Sequence, residues 1–361
     1  MCQRIGVVGI SLAPHFNEAY GNQMFLLSRQ LGANVLTGND LGLVPFRTMS
    51  RYFIVNTRFL LRETPLLSYF NGALFYLALK LFERRVDVIY LPVGLESRFL
   101  RYLEPRKCIP VVASIPVLGY GTGEARLKRI AAELGGIVAQ SARVRARLID
   151  MGADQRKVQL MYPWVDLDRF VCTPPPPRKV FTLLFASSPS VESRGEDNFG
   201  AKGVPLLLEA FREFAQTGEA LLHILWRGKH NEDLQWEIGR LGLRDKVTVT
   251  DEVVDMPRRY ARAHATVIPF LTLHRSPEVP LSAVESLASG RPVIATDVAE
   301  IAHIVREHQC GCAAEPTAHG LLTALQRCRE SYETCQGNCR RVAEKLFRPD
   351  IERLEGFHRA F

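Results

Sequence analysis

Four consecutive prolines, Pro174–Pro177, stand near the middle of a chain of 361 residues. Neither a helix nor a central strand can run through them, and such a run forms a stiff extended connector. The chain must therefore fold as one part before the prolines and another after them. Both parts carry the same pattern. In the first, Arg4–Ile10, Val86–Leu91, Ile109–Ser114, Gly136–Ala139 and Val158–Met161 are short apolar runs separated by stretches of helical period. In the second, Val180–Ala186, Leu221–Trp226, Val247–Thr250, Ala265–Phe270 and Pro292–Ala295 repeat that alternation. Strands alternating with helices predict a parallel sheet covered on both faces. The expectation is an α/β protein of two doubly wound domains facing across a cleft, residues 1–172 and 173–346, each with its own core. Ligands of such sheets bind outside the carboxyl ends of the strands, so the loops after Ala186, Trp226, Thr250, Phe270 and Ala295 are where a site is expected.

Charge separates the two parts. Residues 1–170 hold 22 Lys and Arg against 13 Asp and Glu, whereas residues 171–361 hold 24 against 25. The whole excess of +8 thus belongs to the first part, which points to an anionic partner: a membrane surface or a phosphate-bearing acceptor. Nucleic acid is not expected, because no recognition motif or aromatic stacking series accompanies the charge. Arg51, Arg58 and Arg62 fall at spacings that put them on one face of a helix. The run Leu66–Leu79 has 14 uncharged residues, short of the ~18–20 a spanning helix needs, and reads as a helix buried on the sheet or as a groove at a membrane surface.

Eight cysteines occur mostly singly, and Cys310 and Cys312 are too close together for a zinc knuckle. No secretory leader is legible at the start of the chain. Reduced cysteines, no structural metal and a cytoplasmic protein with possible peripheral contact at the inner face of a membrane are the expectations.

The most informative stretch is Pro269–Val305, which reads as strand, loop, helix, glycine stop, strand. Pro277 and Pro280 start a helix near Val279–Leu281, and Gly290 with Pro292 ends it. Glu278 then stands at the helix start and Glu285 about one and a half turns inside. A helix N-terminus after a strand offers N–H groups to phosphate, and a carboxylate further in accepts the two hydroxyls of a ribose. By themselves the two glutamates read equally well as a helix-start carboxylate and a solvated helix residue.

The segment PEVPLSAVESLASGRPVIAT resembles the signature of retaining glycosyltransferases of family 4, which have the GT-B fold of two Rossmann-like domains. YPWVDLDRF (Tyr162–Phe170), GAKGVPLLLEAF (Gly200–Phe211) and VTVTDEVVDMPRRYARAHATVIPF resemble, in the family's order, its passage into the hinge, its lysine-glycine element, and the elements around its base-binding loop, which includes Val254. The resemblance implies a nucleotide-sugar donor such as a UDP- or GDP-sugar, transfer to a sugar or lipid-linked acceptor in glycan biosynthesis, no cofactor and no metal. It also implies a terminal helix, 347–361, that crosses back to the first domain.

Carried over residue by residue, Glu285 matches the ribose carboxylate and Lys202 the lysine on the diphosphate, with the N–H groups of Leu281 and Ser282 completing the anion site. The family's arginine partner of that lysine is missing: Ser187 and Ser188 stand in its place. Arg194, in the loop Ser190–Gly200 that reads as a lid, or Arg227, at a strand's carboxyl end, supplies the second cation, and the strand-end position favours Arg227. The first glutamate of the motif falls on Pro277, leaving Glu278 one residue late to meet the transferred sugar. Ala299 and Glu300 replace a glycine pair, and His303 stands where an acidic residue is frequent. Gly21 and Asn22 match small residues of the family's first loop. No histidine follows Ser114, Ile115 and Pro116, and His15 is the histidine of the first loop. Two other functions fit the same architecture: a nucleotide-sugar 2-epimerase, for which no acid and base set is evident, and a non-catalytic protein of glycosyltransferase fold, made plausible by the missing arginine and histidine.

Overall fold

The computed structural model describes residues 4–10, 19–39, 46–49, 52–56, 76–91, 109–116, 118, 124–187, 198–227, 230–273 and 276–360. These divide into two compact units: Met1–Met161 with Pro349–Phe361, and Tyr162–Arg348. The proline run lies inside the second.

The first unit holds β1 (Ile5–Ile10), α1 (Ala19–Gln30), β2 (Asn34–Asn39), β3 (Phe46–Met49), β4 (Tyr52–Asn56), α2 (76–83), β5 (Val88–Leu91), β6 (Val111–Ile115), α3 (Glu124–Glu133), β7 (Gly136–Ala139), α4 (Ala142–Asp150), β8 (Val158–Leu160) and, from the chain's end, α13 (Ile351–His358). Its strands lie in the order β3-β4-β2-β1-β5-β6-β7-β8. All pairs are parallel except the β3–β4 ribbon at one edge. The inner strands are buried on both faces, which is why they read as continuous apolar runs. Val8, Leu36, Ile89, Val111 and Ile137 pack there with Phe82 and Leu79 of α2.

Two expectations change. Tyr52–Asn56 is a strand paired with β2, so no continuous helix carries Arg51, Arg58 and Arg62; those three lie outside the described residues. Tyr-Phe-Ile-Val is a strong β-former, and that propensity outweighs the arginine spacing. Of the run Leu66–Leu79, the described part belongs to α2, with Ala78 and Leu79 buried and Leu77 exposed.

The second unit holds β9 (Phe181–Ala186), α5 (Asn198–Ala201), α6 (Val204–Phe214), β10 (Ala220–Leu225), α7 (Asn231–Arg240), β11 (Val247–Thr250), α8 (Met256–Ala261), β12 (Ala265–Ile268), α9 (Leu281–Ala288), β13 (Val293–Thr296), α10 (Glu300–Glu307), β14 (Gly311–Ala314), α11 (Ala318–Glu330) and α12 (Tyr332–Leu346). The sheet is wholly parallel in the order β11-β10-β9-β12-β13-β14. The strand order reverses between β9 and β12, the point where a crevice opens at the carboxyl ends of such sheets. In α6, Val204, Leu207, Leu208, Phe211 and Phe214 recur at spacings of three and four and are all buried against the sheet. Each unit is thus a Rossmann-like doubly wound domain.

Candidate functional site

The switch between β9 and β12 is occupied by Lys202. The chain turns from α5 into α6 through Gly203, whose φ of +70° is left-handed. A Cβ there would stand 1.7 Å from the Pro269 carbonyl oxygen, so glycine lets this turn lie flat against the end of β12. The Leu271 N–H donates to the Ala201 carbonyl at 2.9 Å and holds the same contact from the other side. Lys202 is thereby buried, with Nζ donating to Ser187 Oγ at 2.7 Å and lying 5.9 Å from the Phe270 ring centre. Burial lowers its pKa to about 8. Ser187, at the end of β9, is the serine standing where the family arginine was expected.

Beyond β12, Pro280 is the N-cap of α9 and has no side chain able to cap it. The first carbonyl-directed bonds begin with Ala283, whose N–H donates to the Pro280 carbonyl at 3.0 Å. The half-buried Leu281 and Ser282 therefore present their N–H groups at the positive end of the helix dipole.

Glu285 lies one turn further. It is buried, not solvated, and the Tyr260 hydroxyl of α8 sits within donating distance of its Oε2 (3.0 Å) and of the Ser282 carbonyl (2.9 Å). Burial pushes the Glu285 carboxyl up to about 7, against the hydrogen bond from Tyr260 and the charge of the half-buried Arg169. Tyr260 is set edge-on by Phe170, with ring centres 6.0 Å apart. Sequence reasoning missed both Tyr260 and Arg169, although both lie in segments that carry the family resemblance.

Glu278 is buried and serves α10: its Oε2 accepts the Glu300 N–H at 2.8 Å, and its carbonyl accepts the Ile301 N–H at 3.1 Å. The Tyr162 hydroxyl in turn donates to Glu300 Oε1 at 2.9 Å. A carboxylate at a helix start is where the dipole favours it. His303 is exposed on α10, 3.8 Å from Glu307.

The remaining candidates separate cleanly. Arg227 is half-buried just past β10, and Val254 is half-buried between β11 and α8. Gly21 and Asn22 sit in the first turn of α1, not in the loop before it. Ser114 accepts a hydrogen bond from Gln140 at 2.8 Å inside the first unit. Arg194, Ser188 and His15 lie outside the described residues, as does most of the Ser190–Gly200 loop, whose last residues open α5.

One buried cation had no sequence signal. The Arg291 guanidinium is fully buried and donates to the carbonyls of Tyr260 (3.0 Å), Thr173 (2.9 Å) and Pro174 (3.1 Å) and to Thr173 Oγ1 (2.8 Å). It fastens the start of the proline connector to the end of α8, the helix that carries Tyr260. His264 helps: Nδ1 accepts the Thr182 N–H at 3.0 Å and Nε2 faces the Pro176 carbonyl at 3.2 Å.

Residues 195–331 match the family described as glycosyl transferases group 1. No curated protein matches the chain. Among solved structures, sucrose-phosphate synthase from Thermosynechococcus elongatus superposes with a TM-score of 0.77 at 17% identity, covering 99% of this chain and 98% of that one. Anabaena HepE in complex with UDP-glucose gives 0.69 at 15% identity, with coverages of 99% and 98%. WaaG, a glycosyltransferase involved in lipopolysaccharide biosynthesis, gives 0.68 at 16%, with 98% and 97%. Among the described residues no helix is long and apolar enough to cross a membrane.

Proposed function

From a chain that has the GT-B fold and carries a group 1 glycosyltransferase domain in its second unit, we propose an enzyme that moves a sugar from a nucleoside diphosphate sugar to an acceptor, with retention and without a metal. The observation that carries this reading is the pairing on one helix of a start whose N-cap is a proline with a buried carboxylate one turn inside, together with Lys202 buried against Ser187 at the end of β9. A nucleoside diphosphate presents that pair of features in the same order: phosphates for the N–H groups and a ribose for the carboxylate.

In this reading Glu285 holds the ribose hydroxyls, Val254 and its loop border the base, and Leu281 and Ser282 receive the phosphates. As the bond from the anomeric carbon to the leaving oxygen breaks, charge grows on the diphosphate. Lys202 and Arg227 meet it at the carboxyl ends of β9 and β10. The acceptor hydroxyl attacks from the same face, and its proton passes to the departing phosphate oxygen. Glu278, just before the start of α9, meets the transferred sugar. Gly21 and Asn22 belong to the acceptor side in the first unit, whose basic charge suits a lipid-linked or phosphate-bearing acceptor and peripheral contact with an anionic membrane.

UDP-glucose is the first donor to try, being the molecule bound in the HepE complex. Calorimetry with UDP, GDP and ADP tests the reading. One of them should bind, and Glu285→Ala should weaken it by about 10-fold or more, the worth of hydrogen bonds to a charged group. Binding by none, or binding indifferent to Glu285→Ala, would sink it.

A further inference from the structure

In the proposed enzyme Glu285 holds the ribose, and a phenol holds Glu285. Ser282 and Glu285 stand three residues apart on α9 and so share a face of the helix. The Tyr260 hydroxyl of α8 sits against that face, 2.9 Å from the Ser282 carbonyl and 3.0 Å from Glu285 Oε2. It has one hydrogen for two acceptors. An ionised carboxylate is the stronger of them, so the hydrogen goes to Oε2 when Glu285 is charged.

Tyr260 is itself fixed at both ends. Its fully buried ring is edge-on to Phe170, with centres 6.0 Å apart. Its carbonyl accepts from Arg291 Nε at 3.0 Å, and the same guanidinium donates to the Gly290 carbonyl, just past α9, at 3.3 Å. Arg291 thus ties α8 to the end of α9, while the phenol ties it to the beginning. Burial, then the Glu285 charge, raises the Tyr260 pKa well above its ordinary value, so the phenol keeps its proton and remains a donor. A bond to Oε2 sets the rotation of the carboxylate and with it the direction in which Oε1 faces. An acceptor ordered in advance gives up no side-chain freedom when a ligand arrives.

We propose that Tyr260 is a positioning residue of the nucleotide site: its hydroxyl orients the Glu285 carboxylate toward the two hydroxyls of a ribose, and so makes the site prefer a ribonucleotide to its 2′-deoxy form. The inference rests on the reading of Glu285 as the ribose carboxylate. Tyr260 acts through Glu285 and does not touch the nucleotide, since its ring is buried and its hydroxyl is engaged on α9. Burial raises the Glu285 carboxyl, and the Tyr260 hydrogen bond from α8 and the charge of the half-buried Arg169, beside Phe170, work against it. Losing the hydroxyl therefore has a definite sign. The carboxyl rises further, and nucleotide binding fails at a higher pH on the acid side.

The test compares the intact protein with Tyr260→Phe, which keeps the ring against Phe170. Calorimetry uses UDP, GDP and ADP and the 2′-deoxy form of whichever binds, over a pH series. The acid limb is read as the difference between the two proteins, so that ionisation of the nucleotide itself cancels. Tyr260→Phe should bind the ribonucleotide about 3-fold or more weakly, the worth of one hydrogen bond. Its preference over the deoxy form should narrow, and its acid limb should move to higher pH. Equal losses for the two nucleotides, or an acid limb that stays in place, overturn the proposal. Should Tyr260→Phe fail to fold, 3-fluorotyrosine at position 260 decides. Being a stronger donor of nearly the same shape, it should move the acid limb to lower pH, and an unmoved limb overturns the proposal. If Glu285→Ala abolishes binding while Tyr260→Phe changes neither quantity, the nucleotide reading stands and this role falls; if none of the three nucleotides binds, both fall.

Discussion

Glu285 and Lys202 pull the pH response in opposite directions. The Glu285 carboxyl, raised by burial to about 7, must be ionised to accept two hydroxyls, so nucleotide binding should strengthen as pH rises through that value. Lys202, lowered by burial to about 8, must be protonated to meet a diphosphate, so binding should weaken above it. Titrating UDP-glucose, whose diphosphate diester does not ionise in this range, should give a bell with limbs near these values. Glu285→Gln should remove the acid limb, and a flat profile in the unsubstituted protein would refute the assignment. The same residue predicts a stability change. A carboxyl whose folded pKa is raised contributes stability below its ordinary pKa, and that stability is lost as pH rises through about 7. Glu285→Gln should therefore gain about 3 kcal/mol over the unsubstituted chain at pH 8.5 and nothing at pH 4, read from paired thermal melts. Both residues were legible through the family resemblance of their segments, since a helix glutamate and a lysine before a glycine read by themselves equally well as solvated residues. The capping partner of Glu278 was not, since Glu300 lies 22 residues away and only the packing of the β13 end against the helix start joins them.

At the scale of elements, the turn from α5 through Gly203 to α6 is the piece that sets the site. Gly203→Ala adds both a left-handed strain and a clash with a backbone carbonyl, neither of which can relax without moving β12. A loss of at least about 3 kcal/mol is expected, visible as a drop in the melting temperature of the second unit; an unchanged melt would show that this contact is soft. Most strands were legible because parallel strands buried on both faces must be continuous apolar runs. Two of those missed share a cause that β4, a strong β-former, does not. β2 reads Asn-Val-Leu-Thr-Gly-Asn and β14 reads Gly-Cys-Ala-Ala, sequences poor in β-branched residues. The Gly311 position in β14 leaves 1.9 Å between an imagined Cβ and the Val293 carbonyl, so close pairing with β13 makes that strand, not its propensity.

Long-range contacts complete the first unit. The chain's last helix, α13, lies in the first unit, where Leu354 and His358 are fully buried. His358 stands edge-on to Tyr90 at 5.4 Å, and neither ring nitrogen has a partner among the described residues. Burial lowers its pKa to about 4, so it folds neutral. The stability this neutral form brings is complete above its ordinary pKa of ~6.5 and is lost as pH falls towards about 4. His358→Leu should cancel about 2–3 kcal/mol of acid destabilisation, measured as the change in unfolding free energy between pH 7 and pH 4.5 relative to the unsubstituted chain. Equal acid sensitivity in the two proteins would exclude it. By itself the sequence determined the architecture, because the period of apolar residues must match strand or helix whatever surrounds them; it did not set the division into units, since the proline run lies inside the second of them. It also determined the helix that carries Glu285, because caps and stops act within a turn. Tertiary structure alone decided that Glu285 is buried under Tyr260, that Glu278 caps α10, and that Arg291 clamps the connector. These follow from which distant groups share a low-dielectric interior, and no local pattern in a chain encodes its neighbours in space.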